Sequence, residues 1–149
     1  MTRAWWSWGC RIVVALVFLV AGVPKILDPA GFSVAIFRYQ MVPYDLINLV
    51  AVWLPWVEVV AAVVVLVSPR FRDAGALLMF LLLVAFTVAI AINLLRGIDV
   101  ACGCFTTNPA ASRAGWAKVG GNLLLTAAAW YAFVSCRRAL ASDASTTRS

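Results

Sequence analysis

Histidine is absent from the 149-residue chain. Its absence removes the commonest haem ligand, the commonest zinc ligand and the base of any Ser-His-Asp triad. Charge is scarce as well: Asp, Glu, Lys and Arg together make up 12% of the residues, about half the share in an average soluble domain. Hydrophobic residues reach 64% and the mean hydropathy is +0.97, against the roughly 45–50% apolar content of soluble chains. That excess points to one compact membrane unit. The net charge of +6 comes from basic residues scattered singly or in pairs between apolar runs, so they read as topology signals and not as a nucleic-acid surface. No repeat of fixed period is visible.

What is present is a set of long apolar segments. Four spans are expected at about residues 6–27, 46–67, 74–95 and 117–136, close to the roughly 20 residues a membrane helix needs. The first has only a 12-residue uninterrupted core, Ile12 to Val23. Its flanks extend it: Trp5, Trp6 and Trp8 resemble an interfacial aromatic belt, and Arg11 and Lys25 are placed to snorkel from opposite ends. Three further spans and the lack of a cleavage motif favour an uncleaved helix over a signal peptide. Between Asp28 and Pro43, the stretch GFSVAIFRYQMV is too short to span and is expected to lie along the interface as a short helix. The fold class is therefore all-α integral membrane, a four-helix bundle with a short interfacial helix after the first span. Residues 1–138 form the domain, and the Ser-, Ala- and Thr-rich tail 139–149 is expected to be disordered and cytoplasmic.

Four spans put both termini and the second loop on one side, with Arg3, Arg11, Arg70, Arg72, Arg137, Arg138 and Arg148. The other side carries Lys25, Arg38, Arg96, Arg113 and Lys118. The positive-inside rule then places the termini in the cytoplasm and the protein in the inner membrane. The longest polar connection, IDVACGCFTTNPAASRAGW, faces outward. It holds Cys102 and Cys104, and the glycine between them makes accessible the sharp turn that a disulfide between cysteines so close in sequence demands. A strained, exposed disulfide is labile and suited to catalysis or regulation, and the bacterial periplasm supplies thiol partners. An inert structural bridge or two unpaired thiols is the competing reading. Arg96 or Arg113, or the start of the fourth helix, is placed to lower a thiol pKa.

A charged residue inside a span calls for a partner. Glu58 is the single acid of the second span, and Lys25, Asn93 and Asn122 all fall toward the outer end of the bundle. These four residues, with Arg96 at the mouth, are expected to line a polar pocket beneath the cysteines; the alternative is that each holds helices in register. Cys10 and Cys136 sit at the inner ends of the first and fourth spans and form a candidate second pair, with buried inert thiols as the plainer reading. The two cysteine pairs face opposite sides, so no metal is expected.

The segments AGVPKILDP, YQMVPY, LPWVEVV and CGCF, followed by Trp116 and Asn122, resemble the MauE family of methylamine-utilisation membrane proteins, within the wider DoxX-like group. The similarity runs over nearly the whole chain except the tail. The family commonly has glycine after C-x-C-F, where this chain has Thr106. The resemblance implies a membrane redox protein working beside a thioredoxin-like extracytoplasmic partner, in the maturation of disulfide-containing proteins such as methylamine dehydrogenase. It assigns the redox pair to Cys102 and Cys104 and the family's Lys and Glu elements to Lys25 and Glu58. A quinone is the candidate cofactor, with the Lys25/Glu58 pocket as its place. Two other functions stand beside thiol-disulfide exchange: a small membrane subunit of a quinone-linked oxidoreductase, and a non-catalytic assembly factor.

Overall fold

The computed structural model describes residues 2–97 and 116–146, with side chains placed over 8–97 and 116–138. Each apolar run becomes a helix because only a helix satisfies every backbone N–H and C=O within one segment in lipid. The elements are α1 (Thr2–Leu27), α2 (Pro29–Tyr39), a 3-10 turn (Tyr44–Leu46), α3 (Ile47–Val67), α4 (Arg72–Leu95) and α5 (Trp116–Thr146). Four of them, α1, α3, α4 and α5, are long and apolar enough to cross a membrane. α2 is the expected short helix.

The stripes that pack inward are legible as helical spacing. On α1 the buried positions include Val14, Ala15, Phe18, Ala21 and Lys25, on α3 Ile47, Ala51, Pro55, Glu58, Ala61, Ala62 and Val65, and on α4 Ala76, Met79, Leu83, Thr87, Ile90 and Asn93. The opposite faces carry exposed Leu16, Val20, Trp53, Val60, Leu81 and Val88, as lipid-facing surface should. The helices close a ring in which α1 packs on α3 and α5, and α4 packs on α3 and α5. The central cluster of Val14, Phe18, Ala61, Ala62, Ala76, Met79, Leu83 and Ala129 joins all four.

Small residues set the closest approaches, as expected where packing and not solvent exclusion drives helix association. A Cβ built on Gly22 of α1 would lie 2.9 Å from Val59 Cγ2 and 3.4 Å from the Pro55 carbonyl oxygen of α3. One built on Gly75 of α4 would lie 2.8 Å from Val65 Cγ2 and 3.2 Å from the Ala61 carbonyl oxygen.

α2 starts at a corner written in the sequence. Asp28 is its N-cap and accepts a hydrogen bond from the Gly31 N–H at 2.9 Å, with Pro29 following at the first helical position, the placement in which proline loses nothing. The helix ends at Gln40, in the left-handed region at φ 49°. Its Phe32 and Ile36 pack on Ile47 and Ala51 of α3.

The structure departs from expectation at the C-terminal end, where α5 continues as helix to Thr146 through residues read as disordered from composition. Ala139, Leu140, Ala141 and Ala144 are strong helix formers, and an established helix extends over them at little cost.

Candidate functional site: a buried ion pair between two cavities

The α1–α3 contact at Gly22 and Pro55 brings one turn of each helix together. Lys25 and Glu58 each lie three residues beyond those contact positions, on the same helix faces. Their side chains meet in the seam: Lys25 Nζ donates to Glu58 Oε1 at 2.9 Å and to Oε2 at 3.0 Å. The residues are only 3% and 1% exposed. The ammonium also lies 5.0 Å from the ring centroids of both Phe32 and Phe86, so aromatic side chains from α2 and α4 flank it. Lys25 was expected to snorkel toward the interface. It does not, because α2 folds back at the Asp28–Pro29 corner and lays Phe32 over it.

Two cavities flank the pair. The larger, about 270 Å³, lies between α2, α3 and α4 and is bounded by Lys25, Phe32, Tyr39, Met41, Phe86 and Ala89 among others. Apart from Lys25 and Tyr39 its walls are apolar. The smaller, about 30 Å³, lies on the α5 side and is bounded by Lys25, Glu58, Phe86, Asn122 and Leu125 among others. Lys25 and Phe86 thus form a partition shared by both.

The polar residues expected to share one pocket are divided by this arrangement. Asn122 borders the small cavity with Lys25 and Glu58. Asn93 is fully buried, and its Nδ2 donates to the Ala89 carbonyl oxygen at 3.0 Å and lies 3.8 Å from Met41 Sδ, while its Oδ1 has no partner among the described residues. Arg96 caps the end of α4 and is exposed. Cys102 and Cys104, with Phe105 and Arg113, lie outside the described residues. The residues that sequence reasoning missed are the cavity walls Phe32, Tyr39, Met41 and Phe86, and Gly22; a small residue one turn before an intramembrane lysine was the available signal for the last.

At the opposite end of the bundle Arg11 is also buried, at 5% exposure, and not extended toward the interface. Its Nη2 donates to Ser135 Oγ at 3.5 Å. Its guanidinium lies 5.9 Å from the Trp8 ring centroid, and that of Arg72 lies 5.5 Å from the same ring. Cys10 is half-buried and Cys136 buried, both as free thiols.

Four spanning helices closed into a ring, with a charge pair held in one interhelical seam, define a multi-pass membrane protein. The family model described as methylamine utilisation protein MauE matches residues 3–135, and the chain belongs to that family. It is 37% identical over 123 residues to the methylamine utilization protein MauE of Paracoccus denitrificans, covering 82% of this chain and 65% of the relative. It is 33% identical over 121 residues to the protein of that name in Methylophilus methylotrophus, covering 80% and 63%. The chain therefore spans just under two thirds of the length of these curated relatives. No solved structure matches it.

Proposed function

We propose that this chain is a membrane thiol-disulfide redox protein in which Cys102 and Cys104 exchange electrons with a thioredoxin-like partner outside the cytoplasm. The observation that carries the reading is the position of the pair. Two cysteines one residue apart fall in the sequence between the end of α4 at Leu95 and the start of α5 at Trp116, a connection that a water-soluble partner would meet without entering the bilayer. Membership of a family described by methylamine utilisation supports placing the exchange in that metabolism, where the resemblance implies the maturation of disulfide-containing proteins. The surplus of Arg and Lys on the opposite side supports an inner-membrane protein with cytoplasmic termini.

The exchange balances without a metal. A thiolate of one protein attacks a sulfur of the other's disulfide, the S–S bond breaks, and the leaving thiolate takes up a proton. The mixed disulfide is then resolved by the second cysteine of the attacking pair. One protein ends as disulfide and the other as dithiol, with two electrons transferred; the relative potentials set the direction.

Of the two single variants Cys102→Ser and Cys104→Ser, one removes the resolving thiol and keeps the attacking one, and that variant is expected to accumulate a reducible adduct with an extracytoplasmic thioredoxin-like protein. Absence of any adduct from both variants sinks the proposal.

A further inference from the structure

We propose that the 270 Å³ cavity between α2, α3 and α4 binds the ring of a membrane-dissolved quinone, with Lys25 donating a hydrogen bond to a ring carbonyl. The inference deepens the thiol-disulfide reading, since it names the partner that receives the electrons.

Three observations carry it. The first is the lining: aromatic and aliphatic side chains of Phe32, Ile36, Leu54, Phe86 and Ile90 suit a flat apolar ring, and ligand sites of this kind place few polar groups in a mostly apolar wall. The second is the donor. An ammonium has three N–H groups; the two oxygens of Glu58 account for two of them, which leaves a third for an acceptor, and Lys25 borders the cavity. A simple lipid chain has no use for that donor, whereas a quinone carbonyl does. The third is access. Ala85 on α4 and Met41 after α2 border the cavity and are exposed; Ala85 lies within a spanning helix, so the cavity is open to lipid, where an isoprenoid tail would remain. At about 270 Å³ the space is slightly below the range of whole drug-sized ligands, roughly 300–1,000 Å³, which fits a head group whose tail stays outside.

The chemistry closes with a quinone and no other addition. Oxidation of a dithiol to a disulfide releases two electrons and two protons, and reduction of a quinone to a quinol takes up two of each. The S–S bond forms as the two ring carbonyls become hydroxyls. The disulfide so regenerated oxidises the next partner dithiol.

The test is photolabelling of the full chain in lipid nanodiscs with an azido-ubiquinone analogue, read by mass spectrometry. Label is expected on the segments 32–42 and 85–90, competed by decylubiquinone but not by decylbenzene. Ala89→Phe and Ala35→Phe, which fill the cavity from α4 and from α2, are each expected to reduce the label at least tenfold. Lys25→Met with Glu58→Leu, which removes the donor without stranding a charge, is expected to do the same. Label spread over the lipid-facing surface, label unchanged in a folded cavity-filling variant, or equal competition by decylbenzene overturns the proposal; the last outcome makes the cavity a lipid-chain slot. Cys102→Ser with Cys104→Ser is expected to retain the label, so failure of thiol exchange and failure of quinone binding are read separately.

Discussion

Lys25 and Glu58 are 33 residues apart and share two hydrogen bonds inside the α1–α3 seam. Neither charge is tolerable alone at that depth. On insertion scales a lone charged side chain costs about 2.5–3.5 kcal/mol at the centre of a membrane helix, and removing one partner of a buried pair destabilises by roughly 3–5 kcal/mol. Lys25→Met alone and Glu58→Gln alone are each expected to lose stability on that scale in SDS-driven unfolding from mixed micelles. The double variant Lys25→Met/Glu58→Leu is expected to recover most of it, because neither charge is then left unpaired. If the losses simply add, the two residues are not energetically coupled.

The tight helix crossings make a graded prediction. Extra methyl groups in a full contact cost about 1–3 kcal/mol, so Gly22→Ala and Gly75→Ala should both destabilise. At Gly22 the nearest atom is the Val59 side chain at 2.9 Å, and Val59→Ala in the same chain should restore most of the loss. At Gly75 the Ala61 carbonyl lies behind Val65 at 3.2 Å, so Val65→Ala should restore only part. Equal rescue at the two sites would show that backbone proximity does not govern them.

Much of the fold was legible because long apolar runs leave few alternatives to helices in lipid. The Asp28–Pro29 corner was legible for a similar reason, since cap and first-turn residues act locally. Depth was not. Helix rise gives the distance of Lys25 or Arg11 along its own helix, but their burial depends on what the neighbours place over them: Phe32 and Phe86 at one end, Trp8 and Ser135 at the other. The larger cavity was illegible for the same reason, because its walls come from α1, α2, α3 and α4 and the turn between α2 and α3. No spacing rule within one helix reports it. Lys25 and Glu58 stood out as charges in apolar runs; the apolar residues that shape the space around them resemble every other apolar residue in the chain.

Orientation is tested by thiol reactivity. With cytoplasmic termini, a membrane-impermeant maleimide added to reductant-treated intact cells should modify Cys102 and Cys104 and spare Cys10 and Cys136 when each is present alone. After permeabilisation Cys10, which is half-buried, should react faster than Cys136, which is 3% exposed. Labelling of Cys10 from outside would reverse the topology.

Asn93 separates a structural amide from one with an essential partner. Its Nδ2 donates to the Ala89 carbonyl oxygen, which in a continuous helix already accepts the Asn93 backbone N–H. Deleting the amide therefore strands no carbonyl, and it also removes the buried Oδ1 that lacks a partner among the described residues. An unsatisfied buried polar atom costs about 1–3 kcal/mol, so Asn93→Leu should leave stability unchanged or raise it in the same unfolding assay. Asn93→Asp buries a charge in its place and should cost about 2.5–3.5 kcal/mol on insertion scales. If Asn93→Leu is instead the more damaging change, Oδ1 accepts a hydrogen bond that the folded protein depends on, and its donor must come from outside the described residues or from a bound molecule.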